Sequence, residues 1–152
     1  MILPEKGRFI GRGHLMVGDE ARGVPLSCDV TAEEDEHGLT FAGEVTIESA
    51  GSANVLVNFQ PDDVGHYEIT AGYGGRALEG KAKLATFPGV ALVATGDHQL
   101  WASFSLFEAG GGLGLRGILR DDNGMMACEV AFQGELRALR SDNVVSLTSR
   151  RR

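Results

Sequence analysis

The sequence predicts an all-β protein: an antiparallel meander of about eight to ten strands that closes as a barrel or, alternatively, folds into a two-sheet sandwich. Three observations predict this fold. Short apolar runs alternate with polar residues at a period of two, as in half-buried strands. The 22 glycines are spread between Gly7 and Gly134 and separate these runs. Residues 98–133 read as three consecutive strands whose apolar residues fall on one common face.

The first hairpin of this stretch sets the apolar face. With residues 108–111 as its loop, Leu106 lies opposite Leu113. Phe104 then lies opposite Leu115. Because side chains alternate along a strand, these residues all point to the same side of the sheet.

The second hairpin agrees with the first. The pair Asn123-Gly124 predicts a tight type I′ turn, because both central residues of that turn need a positive φ. A turn centred there sets Leu115 opposite Phe132 and extends the apolar face over a third strand. Two independently placed turns that agree on one buried face favour a sheet more strongly than strand propensity does.

The N-terminal part of the chain adds two strands and an acidic turn. Residues 7–18 predict a first strand interrupted by glycines, and residues 24–31 predict a second. The acidic residues 33–36, with His37 and Gly38, predict a solvated turn. A calcium loop is disfavoured there, since adjacent carboxylates lack the alternating spacing of an EF-hand.

Further alternating runs predict the middle strands. The loop of residues 50–52 sets Ile47 opposite Val55 on the next strand. Gly74-Gly75 predicts a two-residue hairpin loop, because glycine supplies the positive φ that such a turn needs. One more short strand then leads into residues 98–133.

Length and charge define the domain organisation. At 152 residues the chain can bury a core without disulfide or metal support, and we predict one barrel domain over residues 1–136. Residues 137–152 form a C-terminal segment, either an extra edge strand or a partly disordered Arg-rich tail. The domain carries 9 basic and 20 acidic side chains, net −11, and the segment carries 5 and 1, net +4. An acidic body argues against nucleic-acid binding, since phosphate contacts need a basic surface.

Targeting signals and cysteines favour a soluble cytoplasmic protein. The N-terminus shows no basic segment followed by an apolar run, and no stretch is long enough to span a bilayer, so we expect no membrane partner. The two cysteines, Cys28 and Cys128, fall on predicted inward faces. We interpret them as buried thiols rather than as a disulfide.

The ionisable residues predict neither an active site nor a metal centre. The four histidines stand singly on outward or turn positions, without HxH, HExxH or CxxC spacing nearby. No carboxylate or histidine is expected on the inner face, where an acid–base enzyme would need one. We therefore predict no catalytic residue, no metal and no cofactor, and whether the protein is an enzyme stays open.

About ten short strands joined by tight turns resemble the architecture of the calycin group, the lipocalin and fatty-acid-binding barrels that carry ligands. The Gly-x-Trp of the first lipocalin strand is missing, since Trp101 is the only tryptophan, and no helical lid is predicted. No family is therefore assigned. The resemblance implies a barrel whose interior carries a ligand.

The inner face favours binding of a hydrophobic small molecule, because it collects aromatic and aliphatic side chains with few polar groups. Ten strands also enclose more volume than an eight-stranded barrel that side chains fill. A tyrosine would donate a hydrogen bond to the ligand, and cyclase or isomerase chemistry through folding of a bound substrate stays open. The predicted ligand-binding residues are Phe41, Tyr67, Tyr73, Phe104 and Phe132.

The alternative is a filled core with the function on the outer face. Trp101, Arg116 and Ile118 fall on outward positions, where they would form a contact surface for self-association or for another protein. The same surface would otherwise be covered by the C-terminal segment, whose apolar residues need a place to pack.

Overall fold

The structure, a computed structural model, describes residues 6–18, 23–48, 50–85 and 88–134. Within these residues the chain forms antiparallel strands joined by short loops. In chain order the strands are β1 (Gly7–Val17), β2 (Val24–Asp35), β3 (Gly38–Ile47), β4 (Gly51–Pro61), β5 (Tyr67–Tyr73), β6 (Arg76–Lys83), β7 (Gly89–Ala94), β8 (Trp101–Ala109), β9 (Gly112–Asp121) and β10 (Gly124–Gly134).

These strands form one closed barrel in which each strand pairs with the next along the chain. β1 closes the barrel by pairing with β10, and Phe9 lies opposite Gly134 at the end of that ladder. The closure confirms the predicted meander and barrel. It excludes the sandwich, which would leave edge strands unpaired. The predicted domain limit at residue 136 and the segment of residues 137–152 lie outside the described residues.

Side chains alternate between the two sides of the barrel wall. On β2, Leu26, Cys28 and Ala32 are buried, whereas Ser27 and Asp29 are exposed. The buried side chains form two separate groups in the interior. The smaller group consists of Leu26, Cys28 and Val130. The larger group consists of Ala32, Leu39, Ile69, Leu78, Ala82, Leu84, Ala91, Val93, Leu100, Ala102 and Leu106.

The hairpin between β5 and β6 has the predicted two-residue loop. Gly74 and Gly75 have φ values of 56° and 78°, which residues with a Cβ rarely adopt. Tyr73 therefore pairs directly with Arg76. The prediction is confirmed here because only the two residues Gly74 and Gly75 separate the alternating runs of β5 and β6, which leaves a single possible loop length.

The predicted loop between β8 and β9 is wrong by two residues. Gly110 and Gly111 alone form the turn, both at positive φ, so that Leu106 lies opposite Leu115 instead of Leu113. Two left-handed glycines match the twist of paired strands better than a four-residue loop does. Because the shift is even, the apolar face is unchanged.

The predicted register between β9 and β10 is also wrong by two residues. The carboxylate of Asp121 accepts a hydrogen bond from the N–H of Asn123 at 2.8 Å, which starts the turn one residue earlier. Leu115 consequently lies opposite Val130 instead of Phe132.

Two other loops differ from the predictions. β3 ends at Ile47 and β4 begins at Gly51, so that Ile47 lies opposite Gly51 instead of Val55. β2 extends to Asp35, so most of the acidic run belongs to a strand and only residues 36–37 form its turn. The strand continues because Ala32 points into the core and its neighbours point to solvent.

Inward-facing glycines allow the wall to close into a barrel. A Cβ on Gly13 or Gly80 would lie 1.7 Å from a carbonyl oxygen of the neighbouring strand. A Cβ on Gly43 would lie 2.0 Å from such an oxygen. At these positions the strands approach more closely than any other residue permits, as in the glycine kinks that bend barrel walls.

Candidate functional site

Two of the predicted ligand-binding rings lie against the inner wall. Phe104 lies directly opposite Gly117, and a Cβ on Gly117 would lie 2.1 Å from the Cδ1 atom of that ring. Phe132 lies over Gly11 in the same way, with its Cε1 atom 2.6 Å from the place of a Cβ. A ring that fills the place of a missing side chain covers the wall instead of extending toward the barrel axis.

Phe41, Phe59 and Tyr67 form an edge-to-face row on β3, β4 and β5. The ring centroids are 5.8 Å apart for Phe41 and Phe59 and 6.4 Å apart for Phe59 and Tyr67. This is the geometry that aromatic pairs prefer. The row joins two predicted site residues through Phe59, which was not among the predicted ligand-binding residues. Its alternation with Val55 and Val57 along β4 is the signal that places it on the inner face.

Many inward-facing side chains stay partly exposed to solvent although they lie on a closed barrel. A barrel whose interior is filled by side chains buries its mid-strand inward residues completely. The partial exposure is compatible with an interior that side chains do not fill completely. Against the larger core group these side chains are Phe9, Phe41, Val57, Phe59, Tyr67, Ala71, Phe104, Leu113, Leu115 and Leu119, and against the smaller group Val30, Val45, Ile47 and Phe132.

Tyr73 lies apart from this interior group. It ends β5 beside the glycine turn and is 38% exposed. It also lines an open concavity on the outside of the barrel. Of the two predicted phenols, Tyr67 alone lies among the interior aromatic rings.

The two cysteines are free thiols near the smaller core group. Burial, with a contribution from Cys128, raises the pKa of Cys28 to about 11. Burial also raises the pKa of Cys128. Because the thiolate is the nucleophile, neither side chain is activated for chemistry. The structure confirms a buried thiol for Cys28, whereas Cys128 is only partly buried.

On the outside of the barrel, a row of side chains crosses five adjacent strands. We call it the outer apolar row; from β7 to β1 it consists of direct neighbours in the strand registers. Three of its members are well exposed: Leu92 at 55%, Ile118 at 43% and Met16 at 42%. Ser103 and Ala127 separate these three side chains, so the exposed apolar surface is interrupted rather than continuous. The full row is Leu92, Ser103, Ile118, Ala127 and Met16.

The predicted interface residues lie on or beside this row. Trp101 precedes Ser103 by two positions on β8 and therefore shares its face, opposite Arg120. The guanidinium of Arg116 lies 5.0 Å from the centre of the Phe107 ring and 3.2 Å from the carboxylate of Glu129. The ring and the carboxylate together hold Arg116 in place, since both attract a cation.

The opposite side of the barrel is acidic. β2 to β5 contain six acidic residues and no basic residue. The other six strands contain seven basic and four acidic residues. An open concavity of about 1020 Å³ lies on the acidic side, lined among others by Ala42, Leu56, Asp29 and Glu44. The outer surface is thus divided into an apolar, basic half and an acidic half.

Neither a metal-ligand cluster nor a membrane-spanning helix is found among the described residues. No group of three or more His, Cys, Asp or Glu side chains is arranged there to hold a metal ion. The same part of the chain contains no helix that is long and apolar enough to cross a membrane.

Neither known protein families, nor curated proteins, nor solved structures give a match to this chain. The function must therefore be inferred from the barrel itself.

Proposed function

We propose that the barrel binds a hydrophobic small molecule in its interior. The observation that carries this proposal is the partial exposure of inward-facing apolar side chains in a closed ten-stranded barrel. In an eight-stranded barrel, side chains can just fill the interior. A ten-stranded barrel is wider, so its side chains leave more interior space. Covering apolar surface that water reaches is favourable, and a lipophilic ligand would provide that cover.

Aromatic rings form the wall of the proposed site. Phe104 and Phe132 line one part, where their rings lie over Gly117 and Gly11, and the row of Phe41, Phe59 and Tyr67 lines another. The phenol of Tyr67 supplies a polar group that would orient the ligand. Tyr73 belongs to an entrance in this proposal, because it is the most exposed of the five predicted residues. The proposal concerns binding and assigns no reaction.

A matched pair of variants tests the interior site. Phe104 and Phe107 both lie over a glycine of β9, but Phe104 faces inward and Phe107 faces outward. We expect Phe104→Ala to weaken binding of the uncharged apolar dye N-phenyl-1-naphthylamine by about tenfold or more, the order expected from losing one buried ring. Phe107→Ala should leave the affinity within about twofold, since its ring contributes nothing to the interior. A fluorescence titration of both folded variants measures the difference.

Equal losses in the two variants, or dye binding that neither variant changes, would contradict an interior site. Native mass spectrometry of protein purified from its expression host, repeated after denaturation, provides an independent check. A small molecule carried only by the native form would support the proposal and give the mass of the ligand.

A second candidate function is association with another protein chain through the surface around Trp101. One observation favours it: the outer apolar row leaves three large side chains exposed on alternate strands, Leu92 on β7, Ile118 on β9 and Met16 on β1. This function does not depend on the state of the interior.

A further inference from the structure

We infer that residues 137–147 of this chain bind to the acidic half of its own barrel, across β2, β3 and β4. Such binding does not depend on the interior site or on the surface around Trp101. Three features of the barrel support it: the charge of this half, the place where β10 ends, and an exposed leucine with small neighbours. The three strands are adjacent, and a single chain can follow the curve of their wall.

The two partners carry opposite charges. Residues 137–152 contain five basic side chains and one acidic side chain. β2 to β5 contain six acidic residues and no basic residue. Asp29 on β2 is paired with Arg8, but the exposed Glu33 belongs to none of the ion pairs within the described residues. An arginine of the segment would give Glu33 a charge-assisted hydrogen bond, whereas the apolar, basic half of the barrel would repel that arginine.

β10 ends beside the acidic half. Gly134, where the described residues end, pairs with Phe9 on β1, and Phe9 pairs with Val30 in the middle of β2. β2 is therefore two strand spacings, about 10 Å, from the end of β10. An extended chain covers about 3.3 Å per residue, so Arg137 and Arg140 can reach about 10 and 20 Å from Gly134. Both arginines can therefore reach the outer face of β2.

The acidic half also has an apolar place for the segment. Since a single exposed ion pair contributes little, such a contact is needed for binding. Leu56 on β4 is 53% exposed, and its direct neighbours on the adjacent strands are the small residues Ala42 and Gly72. Three of the four residues 144–147 are apolar. An extended chain brings them up to about 33 Å from Gly134, enough to pass β4, four strand spacings or about 19 Å away.

The apolar, basic half provides matched controls. Leu92 on β7 is 55% exposed, nearly the same as Leu56, but its direct neighbours are Lys81 and Ser103. Glu108 on β8 is exposed and, like Glu33, belongs to none of the ion pairs of the described residues.

Glu108 also matches Glu33 in its distance from the end of β10. It lies opposite Leu113, which lies opposite Phe132 on β10, so it is two strand spacings away on the other side. A segment without a preferred face would reach Glu33 and Glu108 equally well.

Zero-length crosslinking of the full chain tests the inference. Arg137→Lys combined with Arg140→Lys keeps the positive charge and supplies amines that a carbodiimide couples to a carboxylate at ion-pair distance. Mass spectrometry of the digested protein identifies the joined peptides. We expect crosslinks from the new amines to Glu33 in the monomeric protein, in at least about threefold excess over Glu108. The yield should fall at high salt, because exposed charges are screened.

A second pair of variants separates binding from mere proximity, since neither changes a charge. Leu56→Ser should lower the yield of the crosslink to Glu33 by about threefold or more, because the segment loses an apolar contact. Leu92→Ser should leave the yield unchanged. Circular dichroism checks that both variants fold, as expected for exposed positions.

Four results would overturn the inference. Equal crosslinking to Glu33 and Glu108, or none to either, shows that the segment does not prefer the acidic half. An excess at Glu108 shows that it binds the other half. Crosslinks to Glu33 found only in covalent dimers show that the acidic half binds the segment of another copy. Equal yields in the two serine variants show that Leu56 is not part of a binding surface.

Discussion

Glycines in similar sequence positions differ in how much space the structure leaves for a side chain. Gly72 and Gly80 both lie within strands of the same hairpin, and neither has a positive φ. A Cβ on Gly80 would lie 1.7 Å from the carbonyl oxygen of Leu92, whereas a Cβ on Gly72 would meet nothing within 4 Å. The bend of the wall therefore depends on Gly80 and not on Gly72.

This difference gives a prediction for stability. We expect Gly80→Ala to lower the free energy of unfolding by about 3 kcal/mol or more, because backbone must move to admit the methyl group. Gly72→Ala should leave stability unchanged or raise it by about 0.5 kcal/mol, since glycine weakens a strand where nothing requires it. Urea unfolding of both variants measures the two values. Similar losses at both positions would show that Gly80 is not a bending point.

At the scale of strands and turns, faces could be predicted from the sequence and registers mostly could not. Gly74-Gly75 fixed its register because only one short loop fits between the alternating runs. Gly110-Gly111 lies among other small residues, so a two-residue and a four-residue loop preserve the same faces. Period-two alternation does not distinguish these registers, since they differ by an even number of residues.

The longer connection between β7 and β8 is held by one buried hydroxyl. The Oγ1 of Thr95 donates to the carboxylate of Asp97 at 2.6 Å and accepts from the N–H of Leu100 at 3.2 Å. The N–H of Thr95 also donates to the carbonyl of Leu100 at 2.9 Å. The hydroxyl thus fixes both ends of the loop against the core.

We expect Thr95→Val to lower the free energy of unfolding by about 1–3 kcal/mol, because the shape is kept while a buried N–H loses its partner. Thr70→Val is the control, since Thr70 points outward from β5 and is exposed. It should change stability by less than about 0.5 kcal/mol. Thermal or urea unfolding distinguishes the two. If the two substitutions lower the free energy of unfolding by the same amount, the hydroxyl of Thr95 does not hold the loop.

At the scale of the whole molecule, the sequence predicted which residues face inward but not how they line the interior. Phe41 and Tyr67 could be selected because alternation alone puts them inside. The contact of Phe104 with Gly117 could not be predicted, because the register from residues 108–111 set Phe104 opposite Leu115. The outer apolar row could not be predicted either: its members are far apart in the chain, and only barrel closure through β1 and β10 joins Met16 to the others.

The uneven distribution of charge around the barrel gives a prediction for the whole molecule. Glu44 lies directly opposite Asp29 on the acidic half, and Glu129 lies opposite Arg116 on the other half. Glu44→Gln should raise the free energy of unfolding by about 0.2–1 kcal/mol, because it removes a cross-strand repulsion with Asp29 that the ion pair between Asp29 and Arg8 only partly offsets. Glu129→Gln should lower it by a similar amount of about 0.2–1 kcal/mol, because it removes an exposed ion pair.

Both effects should shrink as salt is added, since exposed charges are screened. Urea unfolding at low and at high ionic strength, with the protein dilute enough to be monomeric, measures them. We expect the two variants to change the free energy of unfolding in opposite directions at low salt and by amounts near zero at high salt. That result would mean that each half of the surface affects stability through its own local charges. The same sign for both variants would mean instead that the net charge of −7 dominates and that the distribution around the barrel has no energetic consequence.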